Sequence, residues 1–415
     1  MKTIRDIDIN NKTVLIRCDL NVPIKDGNIE DDNRIVKSLE TIKYALKHAK
    51  HVIIMSHLGR IKNEEDKKKN SLKIVCDRLS DLLGEKVYFC TYDENIKNVV
   101  QNNKIVMLEN VRYFDLDGKK ESNNDEELSK FYASLADVYI NDAFGVSHRR
   151  AASTTGVSKY LESAVGFLVE EEINKLSILL NNQEKPFCII LGGAKVSDKI
   201  GVIENLMEKV QTIEIGGAMA NTFLKAKGYD IGSSKYEADK IEVAKQIMKD
   251  AFNKGVEIIL PKDAKVAKID EGVELTPETV ESAEQKNVKL NVEGKGESLE
   301  GWQILDVGDT TLTYFADRLE NAKTVVWNGP LGYTEVPKFA QGTEKIAKYI
   351  SHTKAKCVIG GGDSVAAIQK IKKAAKQNGE DVKQEFSNIY LSTGGGASLE
   401  FLSGKDMPGF ENIGE

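Results

Sequence analysis

The chain has 415 residues, of which 41% are hydrophobic and 29% charged, with a formal net charge of −6. That much apolar material buries a sizeable core and excludes disorder as the main state, and the length corresponds to about two or three domains. The acidic balance argues against a general nucleic-acid binder. No apolar run is long enough to span a membrane, and the N-terminal stretch MKTIRDIDINNK has no apolar signal core. Five scattered cysteines without a CxxC pair are expected to be free thiols, which places the protein in a reducing cytoplasm.

β-branched apolar runs alternate with amphipathic stretches along the chain. TVLIRCDLNVP opens with a strand, a helix is predicted over 34–48, and HVIIMSHLGR follows as strand and loop. Next come a helix near 71–83, the runs KVYFC and KIVMLENVRY, a helix near 125–135, and DVYINDAFG. The segments 63–70 (NEEDKKKN) and 117–125 (DGKKESNND) read as charged exposed loops. An amphipathic helix is predicted over 169–182, ended by QEKP. The rhythm restarts with PFCIILGGAKVSDKI, TIEIGGAMANTFL, GVEIILPKDA, TVVWNGPLGYTE, CVIGGGDSVAAIQ and IYLSTGGGASLEFL. The polar stretch 264–300 is less regular and reads as antiparallel strands or loop. Short continuous apolar runs alternating with helices predict parallel sheets buried on both faces. The fold class is therefore α/β, with two doubly wound domains and the 169–182 helix as connector.

Open parallel sheets bind ligands at the carboxyl ends of their strands. In the first half those positions carry polar or cationic residues: Asp19, Asn21, His57, Arg60, Arg112, Asn141, Asp142, His148, Arg149 and Arg150. Only nine of the 58 basic residues are arginine, and eight of those nine lie in the first 150 residues, which fits either local ion pairs or an anion site. In the second half the same positions carry glycines: 192–193, 216–217, 329, 360–362 and 394–396. Glycine lets backbone approach a phosphate, and a helix N-terminus supplies amide donors, although such pairs also serve as plain turn devices. Lys195 and Lys199 share one helix face if a helix starts there, as phosphate ligands or as surface lysines. Asp363 is either an ordinary helix cap or a Mg²⁺ carboxylate beside a polyphosphate. His48, His51 and His352 read as surface or packing residues, and Trp302 and Trp327 as core. There is no Walker P-loop, dinucleotide GxGxxG unit, kinase HRD loop, HExxH or GxSxG.

RCDLNVP (17–23), SHLGR (56–60), LENVRY (108–113), NDAFGVSHR (141–149), LGGAKVSDKI (191–200), GGAMANTF (216–223), VWNGPLGYTE (326–335), GGGDS (360–364) and STGGGASLE (392–400) stand in the order of a known family. Over essentially its full length the chain resembles phosphoglycerate kinase. The resemblance implies a two-domain hinge enzyme that moves a phosphoryl group between 1,3-bisphosphoglycerate and ADP, giving 3-phosphoglycerate and ATP. It implies a triose-phosphate domain over 1–168, an interdomain helix and linker over 169–185, a Mg-nucleotide domain over 186–403, and a segment 404–415 returning to the first domain. Asp19, Asn21, Arg34, His57, Leu58, Gly59, Arg60, Arg112 and Arg149 match substrate-binding positions. Gly193, Lys195, Lys199, Gly217, Asn328, Glu335, Gly361, Gly362, Asp363 and Ser364 match nucleotide-binding positions, with Asp363 as the metal ligand. Arg34, Lys195, Gly395 and Gly396 are the expected catalytic set. A monomer with no nucleic-acid or membrane partner is the family expectation. Four positions depart from the family pattern: Ile61 for a usual Pro, Ala151 for a His that Arg150 is expected to replace in part, Ala218 for a Gly, and Ile304 for a small residue near the adenine cleft. Because a carboxylate acceptor is already ionised at neutral pH, no general base is needed. A non-catalytic binding protein and a nicotinamide dehydrogenase are the competing classes; the retained lysines and Asp363 count against the first, the missing dinucleotide fingerprint against the second.

Overall fold

The computed structural model describes residues 1–181, 184–270 and 272–414. The chain divides into two compact units, one of residues 1–174 with 406–415, the other of residues 175–405.

The first unit contains β1 (Thr13–Cys18), β2 (Ile24–Lys25), β3 (Asn28–Ile29), β4 (His51–Met55), β5 (Tyr88–Cys90), β6 (Ile105–Leu108), β7 (Val138–Asp142) and β8 (Glu162–Val165). β2 and β3 form a small antiparallel hairpin whose turn residues Asp26 and Gly27 both have positive φ, the combination a two-residue hairpin requires. The other six strands form one parallel sheet in the order β5-β6-β4-β1-β7-β8. The apolar runs are continuous because both faces are covered. Val14 and Ile16 of β1 and Val52 and Ile54 of β4 pack with helices Asn33–His48 and Lys73–Leu83. The alternate residues Leu15, Ile53 and Met55 pack on the opposite face with helices Ile96–Asn102 and Glu126–Ala133. Each fully buried aliphatic side chain contributes about 1.5–3 kcal/mol.

The second unit contains β9 (Phe187–Leu191), β10 (Thr212–Ile215), β11 (Glu257–Ile259), β12 (Asp263–Lys268), β13 (Gln285–Lys289), β14 (Trp302–Val307), β15 (Thr324–Asn328), β16 (Lys356–Gly360) and β17 (Ile389–Leu391). Its parallel sheet runs β11-β10-β9-β15-β16-β17, so the strand order reverses between β9 and β15. The irregular polar stretch resolves into an antiparallel sheet, β13-β12-β14. Trp327 and Trp302 are core residues, and all five cysteines are buried and unpaired.

Some local expectations are corrected. Residues Glu64–Lys69 form a helix rather than a loop, because Asn63 accepts from the Asp66 N–H, acidic residues fill the first turn and lysines the last. Within 117–125, Glu121 is buried rather than solvated. The connector helix starts at Phe167, two residues earlier than expected, and runs to Asn181. Its early start is fixed by Thr41 Oγ1 accepting from the Phe167 N–H at 2.9 Å and by the Asp142 carboxylate accepting from Leu168 and Val169 at 3.0 and 3.4 Å. Positions 182 and 183 of the expected connector lie outside the described residues. Among the histidines without an assigned role, His51 bonds the Asn103 carbonyl, His352 the Lys348 carbonyl, and His48 packs against Tyr44.

The C-terminal residues pack within the first unit. Asn141 Nδ2 donates to the Gly409 carbonyl at 2.9 Å, the Gly409 N–H to Ser147 at 2.8 Å, and the Lys2 N–H to Gly414 at 2.7 Å.

Candidate active site

In the first unit the residues that follow β1 and β4 meet at the carboxyl edge of the sheet. Asp19 is buried and pairs with Arg34. His57, 4% exposed, places Nδ1 3.9 Å from the Asp19 carboxylate. Burial alone would raise the Asp19 pKa, but Arg34 and Arg17 outweigh it and hold the carboxyl below its ordinary range. Burial pushes His57 down to about 3, Asp19 opposing and Arg17, Arg112 and Arg34 reinforcing, so the ring is neutral at physiological pH.

The loop after β4 is pinned from several sides. Asn21 Oδ1 accepts from the Gly59 N–H at 2.9 Å, and the Arg112 guanidinium donates to the Gly59 carbonyl. Asn110 Nδ2 donates to the Leu58 carbonyl at 2.7 Å. Gly59 has φ +57°, and a Cβ there would stand 2.6 Å from Asn70 Oδ1, so this turn needs glycine. Leu58 and Ile61 are buried anchors, whereas Arg60 and Arg149 are exposed. Among the described residues, Arg60, Arg112 and Arg149 make no salt bridge. Three guanidinium groups without carboxylate partners on one loop cluster suit a small, highly charged anion. Arg150 does not join them, because its guanidinium is held by both Glu411 oxygens at 2.6 and 2.7 Å.

Sequence reasoning missed Arg17 as a site residue. Only 2% exposed at the end of β1, it donates from Nε to Ser153 Oγ at 2.8 Å and from Nη1 to the Cys18 carbonyl, with Nη2 3.3 Å from His57 Nδ1. Its signal was available: an arginine closing an otherwise apolar strand must be paired or functional.

In the second unit the glycine turns converge where the strand order reverses. Gly192 donates to the Asn328 carbonyl at 3.0 Å, Gly193 to Pro330 at 2.8 Å, and Gly217 to Leu331 at 3.0 Å. A Cβ on Gly217 would lie 2.5 Å from the Gly193 nitrogen, so the two loops pack backbone to backbone. They floor a cleft of about 340 Å³, a size suited to a small ligand, lined in part by Gly193, Gly217, Glu335 and Asp363. Gln303, Ile304, Leu305 and Tyr333 supply much of its wall, with Ala218 and Leu275. Ile304 is held by Ser234 Oγ, which accepts its N–H at 2.8 Å.

Lys195 and Lys199 do not share a helix face, because the helix Ile200–Leu206 begins only after them. Lys195 is exposed in the loop; Lys199 is 6% exposed and its Nζ donates to Asn328 Oδ1. Burial holds the Lys199 pKa down to about 8, with Asp198 opposing. Gly361 caps the helix Gly362–Gln377 with φ +89°, leaving Asp363 exposed in its first turn. Ser364 is buried, and its Oγ accepts from the Gly329 N–H at 3.1 Å. Gly395 caps the helix Gly396–Leu402, and neither glycine lines the cleft. Two doubly wound units, one presenting arginines that make no salt bridge among the described residues and the other a glycine-lined cleft, define a two-domain α/β protein.

The model of the family described as phosphoglycerate kinase matches residues 4–405. A phosphoglycerate kinase from Macrococcus caseolyticus is 47% identical over 100% of this chain and 99% of its own length. One from Fusobacterium nucleatum is 48% identical, covering 99% of each. Among solved structures, phosphoglycerate kinase from Coxiella burnetii matches with a TM-score of 0.79 and 37% identity over 99% of this chain and 98% of that one. The Pyrococcus horikoshii enzyme matches at TM-score 0.80 and 30% identity, over 100% and 98%. The chain belongs to the phosphoglycerate kinase family, and is accordingly a glycolytic kinase, a transferase of phosphoryl groups.

Proposed function

We propose that the cationic loops of the first unit bind 3-phosphoglycerate or 1,3-bisphosphoglycerate and that the cleft of the second binds ATP or ADP. The carrying observation is the cluster of Arg60, Arg112 and Arg149, which among the described residues have no salt-bridge partners, beside Arg34 and the buried Asp19 and His57. Arg60, Arg112 and Arg149 neutralise the triose phosphate, while Asp19 and Asn21 orient Arg34 and the loop 58–60. In the cleft, Gly193 and Gly217 admit the nucleotide and Glu335 meets its ribose, while Lys199 with Asn328, neither of them part of the cleft lining, faces the phosphates.

Mg²⁺ fits this site as a shared ligand. Among the described residues no group of three His, Cys, Asp or Glu side chains forms a metal cage, while Asp363 stands exposed at the cleft without a salt-bridge partner. One carboxylate completed by substrate phosphates is the usual Mg²⁺ arrangement. Bound there, the ion supplies neutralisation of phosphate charge.

The acceptor carboxylate is ionised at neutral pH and needs no proton removed. This agrees with the neutral, buried state of His57. The residues' task is to align two anions and stabilise charge on the migrating phosphoryl oxygens. Arg34, Lys195 and the amides of Gly395 and Gly396 are assigned that role. Because each ligand set belongs to a different unit, transfer requires the units to close about the 167–181 helix, which also keeps water from the acyl phosphate. The protein is read as a cytoplasmic monomer. Among the described residues no helix is long and apolar enough to cross a membrane. Purified protein given ATP and 3-phosphoglycerate should form 1,3-bisphosphoglycerate with Mg²⁺ and none with EDTA. Folded protein without turnover in Mg²⁺ would leave a binding protein instead.

A further inference from the structure

Beneath the cationic loops lies a chain of buried side chains whose far end is a carboxylate that the phosphoryl-transfer scheme does not use. Glu121 is 3% exposed and belongs to the loop between Asp115 and Asp125. One of its oxygens accepts from the Ser153 N–H at 3.1 Å, and the other accepts the Ser153 hydroxyl hydrogen. Ser153 is fully buried. With its only hydroxyl hydrogen committed to Glu121, its oxygen presents a lone pair, and that lone pair accepts from Arg17 Nε at 2.8 Å. Arg17 Nη1 is fixed on the Cys18 carbonyl, which aims Nη2 at His57 Nδ1, 3.3 Å away.

A guanidinium only donates. An imidazole nitrogen facing it must therefore accept, so the neutral His57 ring carries its hydrogen on Nε2. The opposite state has a sponsor nearby. Asp19 Oδ1, 3.9 Å from the same Nδ1, favours a hydrogen on that nitrogen. The charged groups around the ring are Asp19, Arg17, Arg112 and Arg34, and Arg17 presents its hydrogens directly to Nδ1. The orientation of Arg17 decides the contest, and Ser153, oriented by Glu121, decides the orientation of Arg17.

We infer that Glu121 is a positioning residue: through Ser153 and Arg17 it fixes His57 as the Nε2–H tautomer, so that His57 meets the triose phosphate as a neutral hydrogen-bond donor. The inference rests on reading the first unit as the triose-phosphate site. It assigns a task to a loop carboxylate 72 residues before Gly193, the first residue lining the cleft of the second unit.

The test uses ¹⁵N-histidine-labelled full-length protein without ligand, with long-range proton–nitrogen spectra recorded from pH 5.5 to 8. His57→Gln assigns the signal among the five histidines. The wild type should show the Nε2–H pattern above pH 7, where Glu121, its pKa raised by burial to about 7, is ionised, and no imidazolium anywhere in the range. Ser153→Ala, a milder change than any at Glu121, should lose that pattern, giving Nδ1–H or a ring that titrates in the range; Glu121→Gln should do the same, and Ser153→Thr should restore it. Kinetically, Ser153→Ala should raise the KM for 3-phosphoglycerate about 2- to 10-fold, the value of one hydrogen bond, and leave the KM for ATP unchanged. A wild-type His57 that titrates near 6.5, or a folded Ser153→Ala protein with both the Nε2–H pattern and the wild-type KM, overturns the inference. The spectra need no substrate: absence of turnover with the tautomer response intact removes the triose reading while the Glu121 linkage stands.

Discussion

Binding of Mg·ADP should draw protons from solution above neutral pH if the buried lysine proposed to face its phosphates, only partly charged there, takes up that role. Lys199 has an ordinary pKa of 10.5, and burial brings it down to about 8. A polyphosphate placed against its Nζ favours the ammonium form, so binding refills whatever fraction has lost its proton. That fraction is about 0.1 at pH 7, about 0.5 at pH 8 and about 0.9 at pH 9, and these are the protons expected per nucleotide bound. Affinity should then fall by up to about tenfold per pH unit above 8. Calorimetry in two buffers of different ionisation heat reads the uptake directly, and at pH 8–9 the nucleotide phosphates are themselves fully ionised. Lys199→Arg keeps a cation that does not titrate in this range and should abolish the uptake. Zero uptake at pH 8–9 in the wild type, or the same uptake in Lys199→Arg, would refute the assignment of Lys199 to the phosphates.

Lys195→Ala should lower kcat far more than it changes nucleotide affinity, since an exposed lysine that acts on the migrating phosphoryl group contributes mainly in the transition state; equal losses of both argue against that role. Arg60→Ala should chiefly raise the KM for 3-phosphoglycerate, by about 10- to 100-fold for one charge-assisted contact, and an unchanged KM would remove it from the site. Glu214 is fully buried in β10, its oxygens without hydrogen-bond partners and the Cys188 thiol beside it, and burial pushes its pKa well above 4.5. From pH 4.5 upward the folded state therefore holds a proton that the unfolded state has lost, so stability falls as pH rises, by about 1.4 kcal/mol per unit for this group. Glu214→Gln should flatten the pH dependence of the urea midpoint between pH 5 and 7; an unaltered slope contradicts a neutral Glu214.

The doubly wound architecture was legible because strands covered on both faces must be apolar without interruption, as Val52 to Met55 and Phe187 to Leu191 are. The short helix Glu64–Lys69 was not, because it buries no residue and carries no apolar stripe; its evidence is the Asn63 cap and the order of its charges. The three-stranded antiparallel sheet is hard to tell from loop because DAKVAK and QKNVK alternate weakly and most of their residues are partly or fully exposed. At the site, residues in contiguous motifs were visible, since one short loop must place them together. Glu121, Ser153 and Leu275 were not, because each reaches its position by tertiary packing of distant segments. Lys195 and Lys199 show the reverse case: their spacing fits a helix face, but the chain delays its helix until Ile200, which leaves Lys195 in solvent and buries Lys199 against Asn328.

Direct transfer between two bound anions, with no proton abstraction and no phosphorylated protein, is the centre of this account. Isotope exchange between labelled ADP and ATP tests it: with Mg²⁺ but no triose phosphate the protein should catalyse none, and 3-phosphoglycerate should switch the exchange on. Exchange without the triose would reveal a phosphoenzyme and contradict the mechanism.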